Sequence, residues 1–272
     1  MAADERSMPF IKNLASSERK VRTEALTTLR TFLTASTTAR TLSPLDHLKL
    51  WKGLFYALYM ADRPIPQQNL CAELAALVAI LPDDAVVPFL RAFWETLSRQ
   101  WTSIDVLRME KFMLLVRRVL GASFVWAREG GGRPMKTGNK KSKDTKKEET
   151  RAEAMLALLR EWPIEETGDL AKVSVGLRLH VLDIWVDEVE RAGMTGDDAT
   201  EADAEFLQGV KVIVEKQIKS PSKPCRARAK EGLSDERLPW NEKTAEDEDE
   251  DMEDGDEAKD AEEKDGWGGF DD

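Results

Sequence analysis

LWKGLFYALYMADRP, Leu50 to Pro64, decides the fold class of this chain. Trp51, Phe55, Leu58 and Tyr59 recur three or four residues apart, with Leu48 one step before them, which is the apolar stripe of an amphipathic helix. Upstream, Ser43-Pro44 supplies a serine cap followed by proline at the first helical position, where no amide hydrogen is needed. Downstream, Asp62-Arg63-Pro64-Ile65-Pro66 forces a turn, because proline disfavours helix in the residue before it.

The same pattern spreads outward. Val21, Ala25, Leu29 and Phe32, widened by Leu26 and Leu33, predict a helix over about 17–35. Leu70, Leu74, Leu77, Val78 and Leu81 predict another from Gln67. Phe89, Leu90, Phe93, Trp94 and Leu97 mark a third over about 85–100. Ser103 is expected to cap a long helix reaching Ala127, with Ile104, Leu107, Leu115, Val119 and Phe124 inward. Helical spacing returns near 153–162, from Asp169 to Ala192 through Leu177, Val181, Ile184, Trp185 and Val189, and over about 202–219. No strand alternation is present, so the fold expected is all-α. The stretches Pro44–Leu81 and Ala85–Ala127 have the length of HEAT or armadillo hairpins, about 40–47 residues, without mutual sequence similarity. An irregular HEAT/armadillo-like body and a plain helix bundle both fit.

Two segments break the pattern. Residues 128–150, REGGGRPMKTGNKKSKDTKKEET, are rich in glycine and lysine and predict a flexible basic linker inside a helical domain spanning 1–220. Residues 221–272 are expected to be a disordered, acidic tail. From Glu246 to Asp272 stand 16 acids and 2 lysines, so a tail of −14 within a chain of −11 leaves the rest at +3.

At 42% hydrophobic residues the chain can bury a real core. Cys71 and Cys225 stand in unlike contexts and suggest free thiols in a reducing compartment. The opening MAADERSMPF lacks the basic and apolar regions of a signal peptide, and LAALVAIL, Leu74 to Leu81, is too short to span a bilayer. A soluble intracellular protein without a membrane partner is expected.

Catalytic chemistry finds little to stand on. Two histidines, His47 and His180, and two cysteines do not assemble a zinc site or a nucleophilic triad. Gly130-Gly131-Gly132 lacks the lysine and hydroxyl ending of a phosphate loop. Asp183, Asp187 and Glu188 could serve a metal-dependent nuclease, but the simpler reading is a solvated helix face. Neither a cofactor nor a small-molecule substrate is implied.

Binding chemistry is better represented. Arg108, Lys111, Arg117 and Arg118 flank one apolar stripe, and three of them can share a helix face. Contacts to phosphate and salt bridges to Asp105, Glu110 or an adjacent helix are both open. Lys52 and Arg63 flank the first turn as surface candidates. Trp51, Trp94 and Trp101 could stack on bases, but their inward positions favour core packing. Lys136, Lys140, Lys141, Lys143, Lys146 and Lys147 could be a nuclear localisation signal, an RNA tether or a solvated linker. Trp267 and Phe270, in GWGGF, form a candidate docking motif at the end of the acidic run.

Three blocks carry a resemblance: LDHLKLWKGLFYALYMADRPIPQQNL, AFWETLSRQWTSIDVLRMEKFMLLVRRVL and GLRLHVLDIWVDEV. With the WKGLFY block, the Asp-Arg-Pro turn and the W-x-x-I-D-x-x-R-x-x-K-F pattern in order, the chain resembles the ribosomal RNA-processing protein 1 family. The resemblance implies a non-catalytic assembly factor in the nucleus and nucleolus, bound to pre-60S particles and needed for spacer processing and large-subunit maturation. It implies a HEAT-like scaffold whose partners are other assembly factors, ribosomal proteins and pre-rRNA. Lys52, Arg63, Arg108, Lys111, Arg117 and Arg118 are then motif positions for contact with RNA or a partner. Some relatives carry long basic extensions where this sequence ends acidic. The rival is a HEAT-like transport or chaperone adaptor whose acidic tail shields a basic client.

Overall fold

Hydroxyl and carboxylate caps set several of the helix starts. Ser43 Oγ accepts from the Asp46 amide at 3.2 Å, and the Asp46 carboxylate accepts from the Ser43 amide at 3.0 Å. Thr150 with Glu153 and Thr200 with Asp203 repeat this reciprocal box. The structure is a computed structural model that describes residues 10–35, 39, 41–135 and 149–241. Its helices are α1 (Phe10–Leu14), α2 (Arg19–Thr34), α3 (Pro44–Tyr59), α4 (Pro64–Ala75), α5 (Leu77–Ile80) and α6 (Asp83–Gln100). A 3-10 turn (Trp101–Ser103) leads to α7 (Val106–Glu129), then α8 (Arg151–Glu161), α9 (Val175–Arg191), α10 (Glu201–Gln217) and α11 (Lys223–Leu233). The fold is all-α. Among the described residues the single β feature is an isolated bridge between Pro134 and Thr150 at the neck of the lysine-rich segment.

After the first pair, the main contacts skip one or two helices. Helix α3 packs on α6, α6 on α8 and α8 on α10, while α4 packs on α7, α7 on α9 and α9 on α11. Two layers result, as in a helical-repeat body. In the second layer Met113 meets His180, Arg117 meets Asp187, and Arg128 meets Ala192, so α7 and α9 run parallel. The turn before each second-layer helix therefore falls on one edge of the stack. Trp101 abuts Gly176 at the start of α9, and Gly168 abuts Pro221 before α11.

The core between the layers is continuous. Trp51 is 2% exposed, donates from Nε1 to the Phe89 carbonyl at 2.8 Å, and lies 4.8 and 4.7 Å from the Phe89 and Phe93 rings. Trp94 and Trp101 are buried too, so all three tryptophans are core residues.

Several expectations need correction. Ser103 does not cap α7: Asp105 does, accepting from the Leu107 amide at 2.8 Å. Leu107 is thereby turned outward and is 88% exposed, while Phe112, Leu115 and Val116 fill the interior. Helix α4 starts at Pro64 rather than Gln67, since proline at the first position suits a helix start. Ordered structure does not end near 220. Cys225 and Ala229 of α11, and Leu238 beyond it, are fully buried against the preceding helices. Arg128, placed in the linker by composition, belongs to α7 and donates to the carbonyls of Ala192 and Asp198. The six linker lysines, Lys136 to Lys147, and Trp267 and Phe270 lie outside the described residues.

Candidate interface along one edge of the stack

The cations singled out in the sequence meet three different fates. Lys111 is not a surface contact: it is 5% exposed. Its ammonium donates to the carbonyls of Tyr59 and Ala61, both at 2.8 Å, and so satisfies the carbonyl end of α3. Burial pulls its pKa below the usual lysine value, against the opposing charge of Asp62. Arg117 is spent within the fold, bridging α7 to Asp187 at 3.1 Å and Glu188 at 3.2 Å on α9. Arg108 is partly open. Its guanidinium lies 4.7 Å from the centre of the Tyr59 ring and 3.7 Å from Asp105. Lys52, Arg63 and Arg118 are exposed. Lys52 sits midway along α3 and Arg118 midway along α7, in different layers, so the six cations do not converge on one face.

What does converge is a mixed apolar and cationic edge. Lys111 lies beside Cys71 at its carbonyl and beside Ala61 at its ammonium, which ties the α3–α4 turn to the start of α7. Ile65 is 71% exposed and Val106 81% exposed, and with Leu107 they stand at the starts of α4 and α7 next to Arg63 and Arg108. Exposed aliphatic side chains at these helix starts make the edge a candidate interaction surface. Sequence periodicity missed Val106 and Leu107. The signal available was Asp105, a capping residue type directly before Val106 and Leu107.

The edge continues through the loop between α8 and α9, held by buried polar groups. Arg178 is fully buried and donates to Gln217 Oε1 at 2.9 Å, the Asp169 carbonyl at 2.9 Å and Glu165 Oε2 at 3.4 Å. Glu165 stands at φ 55°, an uncommon conformation for a side-chain-bearing residue. Its carboxylate accepts the amides of Thr167 and Asp169, which offsets that cost.

The acids weighed for metal chemistry are engaged elsewhere. Asp183 pairs with Arg228, Asp187 with Arg117 and Arg237, and Glu188 with Arg117 and Arg191. Asp183 is exposed and Asp187 partly so, as a solvated face requires, whereas Glu188 is 5% exposed and burial raises its pKa despite the two arginines. Among the described residues no three His, Cys, Asp or Glu side chains are grouped to hold a metal ion. His180 Nε2 sits 2.9 Å from the Met113 carbonyl and must be the protonated nitrogen, since a carbonyl only accepts. His47 makes the same kind of bond to the Ser43 carbonyl at 3.0 Å. Burial lowers the pKa of both. Cys71 is a buried free thiol whose pKa is pushed up to about 12, which makes it inert as a nucleophile. No helix among the described residues is long and apolar enough to cross a membrane.

Likeness to known proteins decides the family. Residues 5–267 match the family described as Nucleolar protein, Nop52. This chain belongs to the Nop52 family. Relatives include the human Ribosomal RNA processing protein 1 homolog B, 33% identical over 187 residues, covering 68% of this chain and 22% of that protein. The mouse homolog A is 33% identical over 185 residues, covering 67% and 34%. A Dictyostelium discoideum homolog is 27% identical over 150 residues, covering 54% and 30%. The Nop52-family chain thus spans about a fifth to a third of these relatives' lengths.

Proposed function

We propose that this chain acts in ribosome biogenesis, in pre-rRNA processing, as a non-catalytic nucleolar factor of large-subunit precursors. The family match and the relatives named for ribosomal RNA processing support the process. The observation that carries the scaffold reading is the fate of the polar side chains. Arg117, Lys111, Arg178, Asp187 and Glu188 are consumed in joining helices, while Ile65, Val106, Leu107, Arg63 and Arg108 stay open on one edge. Such an edge suits an apolar anchor with a cationic rim, the arrangement that concentrates binding energy in a few desolvated side chains. Its partners are ribosomal proteins and assembly factors of the precursor, with pre-rRNA alongside.

The test is affinity purification from cells, with sedimentation and sequencing of the recovered RNA. Wild type is expected to migrate with large-subunit precursors that retain spacer sequence. Val106→Asp with Leu107→Asp should release it from them while leaving the melting temperature unchanged, because both side chains are exposed. Recovery of wild type in a small RNA-free complex would favour the adaptor reading, and spacer cleavage by the purified chain with magnesium would favour a nuclease.

A further inference from the structure

The last helix falls in the segment read as an acidic tail, yet the run that leads into it is strongly basic. Between Lys216 and Lys230 stand six cations and no acid. Two are neutralised: Lys216 by Glu166, and Arg228 by Asp183 and Glu231. Lys219, Lys223 and Lys230 are exposed and make no ion pair among the described residues. Arg226 donates to the carbonyls of Ser220 and Pro221, which fixes its guanidinium, and it pairs with no carboxylate among the described residues.

Geometry gathers these charges. At about 100° per residue, Lys223, Arg226 and Lys230 fall within an arc of roughly 60°. Lys223 and Lys230 are about 10 Å apart along the axis. A separate face is fixed in the core by Cys225 and Ala229, both fully buried, so the cationic face stays on the outside. Lys219 precedes the helix at the same end of the stack, beside Gly168 and Ser220 in an open groove. The helix is rigidly mounted: Gly232 lies against Trp185, and the Trp240 indole donates to the Leu233 carbonyl at 3.0 Å.

We propose that this face, Lys219, Lys223, Arg226 and Lys230, is a binding surface for the phosphate backbone of RNA. A row of unpaired cations on a fixed helix contacts phosphates without reading bases, and its affinity comes with release of counterions. The assignment deepens the assembly-factor reading and rests on it for the choice of RNA over other polyanions.

The experiment uses the full chain and a generic RNA hairpin, with affinity measured by fluorescence anisotropy across a salt series. The variant is Lys219→Gln, Lys223→Gln and Lys230→Gln together, which spares the structural contacts of Arg226. The control removes three exposed cations of α2, Arg19→Gln, Lys20→Gln and Arg30→Gln. The expected result is a loss of about tenfold or more in RNA affinity near 0.1 M salt. The slope of log affinity against log salt should fall by about 2 to 3, roughly one unit per lost phosphate contact. The control should barely change, and thermal melts should show all three proteins folded. Equal losses in variant and control would overturn the site. So would unchanged RNA affinity with weakened binding to poly-glutamate, which would assign the face to an acidic polypeptide such as residues 246–272. Failure of the functional reading looks different: RNA binding would fall in the variant, yet the wild-type chain would not sediment with ribosomal precursors.

Discussion

The two halves of the helical stack are held by different chemistry. Between α3, α6 and the first part of α7, the contacts are rings: Trp51 on Phe89 and Phe93, and Phe55 stacked on Phe112 at 4.6 Å. From the second half of α7 to α11, charged groups cross several of the interfaces. Arg117 joins α7 to α9, Arg128 joins α7 to Asp203 of α10, Arg178 joins α9 to Gln217 of α10, and Arg237 reaches back to Asp187 and Glu190. Ring packing is non-directional and tolerant of small shifts. Buried ion pairs hold only where geometry is good, and they fix relative placement more than they add stability. The first half is thus a plain core, and the second half sets the register of the helices that carry the basic face of α11.

Removing rings should do the largest and least recoverable damage. Trp51→Ala should cost about 3–5 kcal/mol in chemical denaturation, through lost burial, a cavity and a lost hydrogen bond. Arg178→Met should cost a comparable amount, about 3–5 kcal/mol, but for another reason: it strands the Glu165 carboxylate in the interior. The comparison sharpens with Arg178→Met plus Glu165→Gln, which should recover more than half of that loss, since the amide oxygen still accepts from the loop. No second deletion should rescue Trp51→Ala. A double variant no better than Arg178→Met would break the distinction between the two halves.

Lys111 is the exception inside the ring-packed half. Lys111→Met should cost about 1–3 kcal/mol, because the Tyr59 and Ala61 carbonyls lose their donor. It should leave the salt dependence of RNA binding untouched. A changed salt slope would return Lys111 to the surface candidates.

The smallest effects concern pH at the α7–α9 interface, where two groups pull in opposite directions. His180 is held below its ordinary pKa, so the unfolded chain takes up that proton first. Stability should therefore fall as pH drops below about 6.5, and His180→Gln should flatten that fall. Glu188 is held above its ordinary value, so the folded chain takes up its proton first. Its contribution favours the fold as pH falls toward the raised value and is withdrawn as pH rises through it. Glu188→Gln should flatten stability across that more acidic window. Urea midpoints measured from pH 4 to 8 would read both, and parallel curves for wild type and either variant would refute the assignment concerned.

Legibility in the sequence followed the size of the buried side chain. The stripes through Trp51, Phe89, Phe93, Leu177 and Trp185 were readable because large apolar residues at helical spacing have one low-energy destination. Helix α11 was not, because its buried face consists of Cys225 and Ala229, too small to stand out beside four cations. The roles of the cations in RMEKFMLLVRR were equally hidden, since Lys111 and Arg118 differ only in what lies opposite them.

The sequence by itself determined an all-helical body, its main helix boundaries and its family, because caps, prolines and apolar periodicity act over a few residues. Only the tertiary structure decided which cations face water. That depends on the carbonyls of Tyr59 and Ala61, the carboxylates of Asp187 and Glu188, and the position of α11, all brought close by packing between helices distant in the chain.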